Sequence, residues 1–581
     1  MKRFSCFVIG IFLLMGVLPA QEREVKLKIV ETSDIHGNYY PYDFIHRKEA
    51  AGSLARVHAF VQKKREIYKD NLILLDNGDI LQGQPTAYYY NYIDTVTRHL
   101  AAEMMNFMGY DAGNMGNHDV ETGRAVFDRW AGDCHFPVLG ANIIDTATGE
   151  THFKPYEVLE RDSVKIVVLG MITPAIPVWL SENLWKGLRF DDMEATARKW
   201  MKIIREKEKP DLVIGIFHAG QDAQLMGGKF HENASVEVAR NVPGFDIVLM
   251  GHDHARECKK IENIAGDSVL IMDPASTGIV VSNVDVTLKL RDGKVVDKKV
   301  NGVLSETKNY GVSEEFMQRF APEYDAVQNF VSKKIGSFTE TISTRPAYFG
   351  SSAFIDLIHT LQLEISGADI SLAAPLSYDT EISEGDIFVS DMFNLYKYEN
   401  MLYTMNLSGK EIHDALEMSY NLWTNQMKSP DDHLLLFREQ RREGAEDRAS
   451  FKNFSFNFDS AASIIYTVDV TKPDGEKVTI LSMADGTPFD MDKIYKVAVN
   501  SYRGNGGGEL LTKGSGISQD DLKERIISST DKDLRYYLMQ YIEQKKVIEP
   551  RALNQWKFIP EEWVVPAAKR DYEFLFGKVK K

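Results

Sequence analysis

The chain has 581 residues, which is too many for one hydrophobic core, so two or three domains are expected. Its apolar fraction of 44% is typical of a globular protein. The formal net charge of -16 at pH 7 argues against a nucleic-acid duplex as a partner, because binding to the phosphate backbone requires a basic face. A small phosphorylated substrate remains open, since bound metal ions reverse the local sign of the charge.

Residues 1–20 have the pattern of a signal peptide. Lys2 and Arg3 provide a positive start, residues 4–18 form an apolar run that is short for a bilayer, and cleavage is expected near Ala20. We therefore expect an exported protein whose mature chain does not span a membrane. An uncleaved membrane anchor is the alternative.

Two cysteines, Cys134 and Cys258, lie outside this segment. In an oxidising compartment they form either one disulfide or two separate thiols. Their positions along the chain give no distance between them, so both alternatives stay open.

In the first half of the chain, apolar runs that predict buried strands alternate with helical stretches. The predicted strands are residues 25–30, 71–75, 165–169, 211–217 and 245–250, and the predicted helices are residues 99–109 and 193–207. This alternation indicates a layered α/β domain.

Polar clusters follow these strands and the first of the helices. They are Asp34-Ile35-His36-Gly37, Asn77-Gly78-Asp79, Gly116-Asn117-His118-Asp119, His218 and Gly251-His252-Asp253-His254. Because ligand sites in such sheets collect outside the carboxyl ends of the strands, we expect the five clusters to converge.

The second half begins with a predicted hairpin over residues 285–300 and a charged helix over residues 314–334. The helix is interpreted as a connector between domains, with Pro322 as a candidate break. A second α/β segment follows. Its predicted helices are residues 353–363 and 409–420, its predicted strands are residues 464–470 and 495–499, and residues 429–450 form a charged surface excursion.

The five clusters have the composition of a metal-assisted hydrolytic site. Ions such as Zn²⁺ and Mn²⁺ bind histidine nitrogen and carboxylate oxygen. Two ions roughly 3.5–4 Å apart require one carboxylate between them, and Asp79 at a strand end suits that role. Each cluster alone has an ordinary explanation as solvated loop residues or a hydrogen-bonded core histidine. Five in succession favour a site with two metal ions.

Together the clusters resemble the five sequence blocks of the calcineurin-like metallophosphoesterases. Two flanking stretches are similar to the 5′-nucleotidase superfamily, and closest to its periplasmic 2′,3′-cyclic-nucleotide 2′-phosphodiesterase/3′-nucleotidase branch. These stretches are Glu31-Thr32-Ser33-Asp34-Ile35-His36-Gly37 and Asp76-Asn77-Gly78-Asp79-Ile80-Leu81-Gln82-Gly83. The resemblance covers nearly the whole mature chain. It implies a four-layer α/β/β/α domain over residues 24–312, a connecting helix over residues 313–336 and an α/β nucleotide-specificity domain over residues 337–565.

The resemblance also implies the roles of the clustered residues. One divalent metal would be held by Asp34, His36, Asp79 and His254, and the second by Asp79, Asn117, His218 and His252. His118 would donate a hydrogen bond or a proton to the phosphoryl group or the leaving oxygen. Glu121 occupies the position where many relatives have an Asp or Asn that orients this histidine. The implied reaction is in-line attack of metal-bound water on a nucleotide, without a covalent intermediate.

In the C-terminal part, the resemblance implies two aromatic rings that sandwich a nucleobase. The matching residues are Phe458 and Tyr502, and Asn117 and Arg503 complete the expected substrate contacts. Two alternatives stay open: Phe458 is a core residue if residues 454–458 form a strand, and Arg503 is a solvated surface residue.

Two departures from typical 5′-nucleotidases bear on the substrate. The loop at residues 373–377 lacks the usual arginine, and Gly508 stands where relatives place an aspartate on the ribose hydroxyls. Both favour a substrate whose 2′ and 3′ oxygens carry the phosphate, handled by an exported periplasmic enzyme. The alternatives are a 5′-nucleotidase or nucleotide-sugar hydrolase on the same scaffold, and a binding protein that has lost catalysis. Oligomeric state has no signal in the sequence.

Overall fold

The computed structural model describes residues 22–221, 225–226, 230–438 and 451–577. The expected signal peptide and its cleavage point near Ala20 lie outside the described residues, as does part of the charged excursion at residues 429–450. Within the described part, no helix is both long enough and apolar enough to cross a bilayer. Cys134 and Cys258 are free thiols, so of the two alternatives the structure has two separate cysteines.

Two six-stranded sheets form the N-terminal half. The first has the spatial order Lys294–Glu306, Val280–Arg291, Glu22–Thr32, Leu72–Asp76, Ala112–Asn114 and Val138–Leu139. The second has the order Arg256–Glu262, Ser268–Pro274, Ile247–Met250, Leu212–His218, Val164–Ile172 and Tyr156–Arg161. The last four strands of the first sheet run parallel, and so do the four central strands of the second.

The sheets pack face to face, and helices cover their outer faces. Side chains such as Leu27, Ile73 and Ile214 are completely buried between the sheets. Because these strands are buried on both faces, they read in the sequence as continuous apolar runs. Helices Leu54–Tyr68, Leu100–Met108 and Arg124–Asp133 pack on the first sheet, and helices Met193–Lys207 and Ser235–Asn241 pack on the second. The expected α/β/β/α architecture is thereby confirmed.

The helix boundaries follow from capping residues. Ser53 and Asp192 accept hydrogen bonds from the exposed backbone N–H groups at the start of their helices. The helix predicted from residue 99 begins at Leu100 because His99 is its N-cap, and Gly109 closes it at a φ of 70°.

Two helices, not one, connect the halves of the chain. They are Glu314–Arg319 and Ala321–Val331, and they meet at Phe320. Pro322 lies in the first turn of the second helix, where its missing N–H is tolerated but a continuous helix is not.

The C-terminal half is a second α/β unit. Its main sheet has the order Ser460–Ala462, Ile370–Ala373, Ile494–Asn500, Met401–Ser408 and Ile526–Asp533. Two three-stranded sheets flank it: Val478–Met483, Ile464–Asp469, Trp556–Ile559, and Gly385–Phe388, Lys334–Phe338, Val547–Ile548. The longer helices are Ala353–Ser366, Gly409–Trp423, Leu534–Lys545 and Glu561–Phe576, and the shorter ones are Val389–Leu395 and Gln519–Arg525.

Short elements complete the fold. The short helices are Pro85–Tyr88, Asn117–Glu121, Ile176–Trp179 and Ser501–Gly504. Two-stranded ribbons pair Tyr42–Asp43 with Lys48–Glu49, Ile143–Asp145 with Leu188–Phe190, Leu225–Met226 with Phe230–His231, and Ile342–Ser343 with Glu381–Ile382.

An aromatic residue of the N-terminal half is inserted into the C-terminal half. Tyr88 is 2% exposed and belongs to the hydrophobic core of the C-terminal unit. Its ring lies 5.4 Å from that of Phe393, and the guanidinium of Arg535 lies 5.1 Å from its centre. The helix that carries Tyr88 follows the loop of Asp79, so the domain contact begins close to the predicted metal site.

Candidate metal centre and substrate cleft

The carboxyl ends of strands from both sheets bring the seven predicted metal ligands together. From the first sheet come Asp34, His36, Asp79 and Asn117, each in or after the loop that follows a strand. From the second sheet come His218, the last residue of its strand, and the pair His252 and His254 just after strand Ile247–Met250. The convergence follows from the parallel strands, whose carboxyl ends share one edge.

Three of these side chains form a first group. Oδ1 of Asp34 lies 3.3 Å from Nε2 of His254 and 3.9 Å from Nε2 of His36. The two histidine nitrogens are 3.0 Å apart. The ligand atoms of Asp34, His36 and His254 therefore surround one point, at the spacing needed for a metal ion.

A second group shares Asp34 with the first and adds Asp79. Oδ2 of Asp79 lies 3.2 Å from Nε2 of His218 and 4.0 Å from Nε2 of His36. Oδ1 of Asn117 lies 3.0 Å from Nε2 of His218 and 2.8 Å from Nδ1 of His252. Asp34, Asp79 and His218 form a further set that could hold an ion. Asp79 thus faces histidines of both groups, as a bridging ligand requires.

The loops that carry the ligands adopt an uncommon backbone conformation. Asp34, His36, Asp79, His252 and His254 have φ values of 53°, 48°, 56°, 78° and 53°. Aspartate and histidine tolerate this left-handed region better than most residues, but each instance still costs on the order of 1–3 kcal/mol. Such conformations persist only where the surrounding structure enforces them.

Asp119 enforces the conformation of the Asp79 loop. Its buried carboxylate accepts hydrogen bonds of 2.8–2.9 Å from the backbone N–H groups of Asp79, Ile80, Leu81 and Gly116. Only glycine fits at position 116, because a Cβ there would lie 2.1 Å from Oδ1 of Asp79. The glycine therefore permits the close approach that Asp119 stabilises.

Two buried asparagines tie the sheets together beside the ligands. The amide of Asn77 donates to the carbonyls of Phe217 and Leu249 at 3.1 and 3.2 Å, across to the second sheet. The amide of Asn114 donates to the carbonyl of Met171 at 2.8 Å, also in the second sheet. Asn114 also donates to Oδ1 of Asn77 at 3.1 Å, so the two amides form one network.

His118 lies beside the cluster with its ring oriented by a carboxylate. Nδ1 of His118 is 2.5 Å from Oε2 of Glu121, and the backbone N–H of His118 donates to Oδ1 of Asp79 at 2.8 Å. The extra methylene of Glu121 therefore does not prevent contact, because both residues lie on helix Asn117–Glu121, three residues apart. With Nδ1 held, Nε2 is the nitrogen left for a ligand.

The charges of the site divide the residues by role. Burial opposes ionisation of Asp34, but His254 and His218 outweigh it and lower the pKa to about 2. Burial lowers the pKa of His36 to about 3, so its ring is neutral and able to bind a cation. Burial also lowers the pKa of His118, but Asp79 and Glu121 reverse the effect and raise it to about 10.

The donor set fits divalent cations. Among the described residues, the buried Asp34 and Asp79 have no lysine or arginine partner, and the residues that form ion pairs with them are histidines. A buried carboxylate needs a nearby positive charge to compensate for its lost hydration. The ring nitrogens of His36 and His254 point at each other, an arrangement that a shared cation satisfies fully. Mixed nitrogen and oxygen donors are those that Zn²⁺ and Mn²⁺ take.

A cleft of about 540 Å³ opens from the cluster towards the C-terminal half. Its near end is formed by Asn117, His118 and His252. Aromatic side chains also line the cleft, namely Tyr398, Phe454, Phe456 and Tyr502. The rings of Phe456 and Tyr502 are 6.0 Å apart at an angle of 88°.

Phe458 does not line this cleft, which corrects the expectation for that residue. Its side chain is completely buried and lies parallel to Trp423, with ring centres 5.4 Å apart. Residues Ser455–Asn457 form a short 3₁₀ turn, so the alternation of phenylalanines is not that of a strand. The turn places Phe456 at the cleft and Phe458 in the core.

Arg503 is neither a substrate contact nor a solvated residue. It is 2% exposed, and its guanidinium forms two hydrogen bonds of 2.8 and 2.9 Å with Asp459. It also donates to the carbonyls of Phe456, at 3.1 Å, and Gly507. Both interpretations from the sequence are therefore wrong: Arg503 joins the two loops that carry Phe456 and Tyr502.

Comparison with known proteins assigns both halves of the chain. Residues 27–256 match the calcineurin-like phosphoesterase model, and residues 334–513 match that of the 5′-nucleotidase C-terminal domain. The trifunctional nucleotide phosphoesterase protein YfkN of Bacillus subtilis is 27% identical over 92% of this chain and 39% of its own length. The 2′,3′-cyclic-nucleotide 2′-phosphodiesterase/3′-nucleotidase of Salmonella typhimurium is 27% identical over 96% of this chain and 92% of its own. A solved structure, the putative 5′-nucleotidase from Staphylococcus aureus, has a TM-score of 0.73 at 20% identity, over 92% of this chain and 100% of that one.

The chain is a calcineurin-like metallophosphoesterase with a 5′-nucleotidase C-terminal domain. It is therefore a hydrolase of phosphate esters. The family uses two divalent metals, in agreement with the two groups of aspartate and histidine ligands described above.

Some residues of the phosphoesterase site had no role in the sequence analysis. The sequence showed Asp119 only as part of a polar cluster. An aspartate three residues after Gly116 is, however, placed to accept a hydrogen bond from the backbone N–H of that glycine. Glu232 contacts His252 from 20 residues earlier in the chain, and no sequence periodicity links the two. Trp179, whose ring lies 5.6 Å from that of His252, is separated from it by an even longer stretch.

Proposed function

We propose that this phosphoesterase hydrolyses 2′,3′-cyclic nucleotides at the 2′ ester and then removes the 3′ phosphate. The observation that carries the proposal is the cleft itself. Its lining includes His118 and the cluster residues Asn117 and His252, together with aromatic rings that suit a nucleobase. A relative with this pair of activities in its name matches nearly the whole chain.

The metal ligands are proposed as the resemblance implies. Asp34, His36, Asp79 and His254 would hold one ion, and Asp79, Asn117, His218 and His252 would hold the other. Bound ions of this kind supply positive charge to the phosphoryl oxygens and lower the pKa of water. The chain contributes the geometry, because Asp119 and the asparagine network fix the loops before a substrate arrives.

His118 is proposed as the residue that handles the leaving oxygen. Glu121 holds Nδ1 of the ring, so that Nε2 donates a hydrogen bond or a proton to the phosphoryl group or the departing ribose oxygen. The carboxylate of Glu121 also stabilises the positive charge of the ring. Positioning and charge stabilisation, rather than covalent catalysis, explain the arrangement.

The nucleobase is proposed to stack on Tyr502, with the perpendicular ring of Phe456 at its edge. Both rings line the cleft, and Arg503 holds their loops at a fixed separation. Stacking of this kind is worth roughly 1–3 kcal/mol per base and tolerates different bases. We therefore expect purine and pyrimidine nucleotides to be accepted.

The proposed preference for cyclic and 3′ substrates rests on the lack of an unpaired carboxylate at positions 508 and 509, beside the aromatic rings. Gly508 has a φ of 67°, and a Cβ there would lie 2.1 Å from Oδ1 of Asn457, so this position has no room for a carboxylate. The next residue, Glu509, lines the cleft, but its carboxylate pairs with Lys513 at 2.7 Å. A free ribose diol thus has no unpaired carboxylate at this position.

A 5′-nucleotidase is the second candidate, and Glu509 is the observation that favours it. If Lys513 releases this carboxylate when a nucleotide binds, Glu509 becomes an acceptor for ribose hydroxyls. Export to the periplasm is part of either proposal and rests on the signal-peptide pattern of residues 1–20.

A direct comparison of nucleotides tests the proposal. The purified protein, loaded with Mn²⁺ or Zn²⁺, is given 2′,3′-cyclic AMP, 3′-AMP and 5′-AMP at matched concentrations, with added phosphatase to report opening of the cyclic diester. We expect a higher kcat/KM for the cyclic and 3′ substrates. Preference for 5′-AMP would transfer the assignment to the second candidate and leave the metal site unaffected.

A further inference from the structure

Within the described part of the chain, His252 is the one predicted metal ligand whose ring contacts a carboxylate on the side away from the cluster. Its Nδ1 lies 2.8 Å from Oδ1 of Asn117, inside the cluster. Its Nε2 lies 3.0 Å from Oε1 of Glu232, outside it. A neutral imidazole carries its proton on one nitrogen only, and a carboxylate accepts but does not donate. The proton is therefore on Nε2, and the lone pair of Nδ1 faces the cluster.

We propose that Glu232 is a positioning residue of the metal centre, which holds His252 in the tautomer and orientation that bind a cation through Nδ1. The inference rests on the ligand role proposed above for His252. A carboxylate that accepts the second N–H of a ligating histidine orients the ring and increases its basicity. Glu232 requires no contact with substrate for this role.

The backbone around Glu232 is tied to the loop of another ligand. Oδ1 of Asn233 accepts the backbone N–H of Gly220 at 2.8 Å, and the hydroxyl of Ser235 donates to the carbonyl of Ala219 at 2.7 Å. Ala219 and Gly220 directly follow His218. The segment that presents Glu232 is thus attached to the metal loop on one side and continues into helix Ser235–Asn241 on the other.

The remaining sides of His252 are also fixed. The ring of Trp179 lies against it, with centres 5.6 Å apart and planes 29° apart. Its backbone N–H donates to the carboxylate of Asp34 at 3.2 Å. These contacts still allow the His252 side chain to rotate about its own bonds. The hydrogen bond to Glu232 removes that freedom.

Glu232 also lies in the cleft near Tyr502, the proposed stacking residue. It is one of the lining residues, and burial raises the pKa of the Tyr502 phenol to about 12, with the Glu232 carboxylate adding to the increase. A residue that only bound substrate would have the same location. A measurement of metal binding separates the two roles, because a substrate contact does not change the affinity of the free protein for cations.

The test is a titration of the metal-free protein with Mn²⁺, in which the electron paramagnetic resonance signal of free Mn²⁺ reports the number and affinity of the sites. We expect Glu232→Ala to weaken one of two sites by about 10- to 100-fold and to leave the other unchanged. Glu232→Gln keeps the volume and a hydrogen-bond acceptor but not the negative charge, so we expect a smaller loss at the same site than in the alanine variant.

The matched control is Glu237→Ala. Glu237 also pairs with a histidine, with Oε2 lying 3.2 Å from Nδ1 of His231, but it belongs to neither the cluster nor the cleft. We expect wild-type binding of both ions. Thermal unfolding of the metal-free variants checks that each is folded. If Glu232→Ala is not folded, the Mn²⁺ affinity of Glu232→Gln decides the test.

Two results would overturn the inference: unchanged Mn²⁺ affinity in Glu232→Ala, or a loss in Glu232→Gln as large as that in the alanine variant. His252→Ala distinguishes this failure from failure of the ligand assignment. If His252→Ala abolishes one site while Glu232→Ala does not, only the role of Glu232 is wrong. If His252→Ala also binds two ions normally, His252 is not a ligand and both proposals fall.

Discussion

The ring of His118 differs from those of His36, His218 and His254 in its partner. Glu121 contacts its Nδ1, whereas Nε2 of His36, His218 and His254 faces Asp34 or Asp79. His252 also contacts a carboxylate outside the cluster, Glu232, but its other ring nitrogen faces Asn117, so His252 is suited to bind a cation, whereas His118 is suited to donate. The function of each ring therefore follows from the partners of both its nitrogens.

His118→Ala is expected to lower kcat by a factor of about 10²–10⁴ while both metal ions remain bound. The reason is that the ring contributes proton donation and no ligand atom. Turnover of a cyclic or 3′ nucleotide and metal content by mass spectrometry are the two measurements. Loss of both ions in this variant would refute the assignment, and His218→Ala, which removes a proposed ligand, is the comparison.

At the scale of the element, the strand ends were predictable and the cleft was not. Apolar runs that stop at Asp34, Asp79 or His218 identify buried strands, and parallel strands leave their ends at one edge. Phe458 was assigned to the nucleobase by the family resemblance, and the 3₁₀ turn Ser455–Asn457, which no local pattern revealed, places its ring in the core instead. Contacts such as that of Glu232 with His252 depend on how the loops return, which no local pattern records.

Gly116 precedes helix Asn117–Glu121 and lies so close to the Asp79 loop that there is no room for a side chain. In Gly116→Ala the new Cβ would lie 2.1 Å from Oδ1 and 2.3 Å from N of Asp79, so the proposed bridging carboxylate must move. We expect lower occupancy of both metal ions and a loss of roughly 1–3 kcal/mol in the free energy of unfolding.

The control for Gly116→Ala is Gly132→Ala on helix Arg124–Asp133, where a Cβ meets nothing within 4 Å. Alanine favours the helix there, so stability should rise by up to about 1 kcal/mol with metal content unchanged. Metal analysis and urea unfolding of both variants provide the comparison. Full occupancy in Gly116→Ala would show that Asp79 does not bridge.

For the whole molecule, the domain contact contains a buried carboxylate as well as Tyr88. Glu399 in the C-terminal half accepts a hydrogen bond of 3.0 Å from the hydroxyl of Tyr92 in the N-terminal half, and Arg535 lies 3.4 Å away. Burial raises the pKa of Glu399 to about 7, although Arg535 counteracts part of the rise. The folded protein therefore holds a proton on Glu399 more tightly than the unfolded chain does.

This shift predicts a pH dependence of stability. Because the folded pKa is raised, the contribution of Glu399 is complete below the ordinary value of 4.5 and is lost as the pH rises through about 7. Between about pH 5 and 8 the wild type should lose about 2 kcal/mol more than Glu399→Gln in free energy of unfolding. Urea titrations at both pH values measure the difference, with Glu562→Gln at an exposed position as control. Equal losses in wild type and Glu399→Gln would contradict the prediction.

The asparagine network has a consequence for local unfolding. Beside the metal ligands the two sheets are joined by fully buried amides, whereas ion pairs that join them elsewhere are partly exposed, such as Lys298 with Asp246 at 2.6 Å. Exposed pairs contribute little, so fluctuations that part the sheets begin away from the buried amides. The ligands occupy the part of the sandwich that opens last. Cations would then be retained through partial openings that expose the rest of the fold to water.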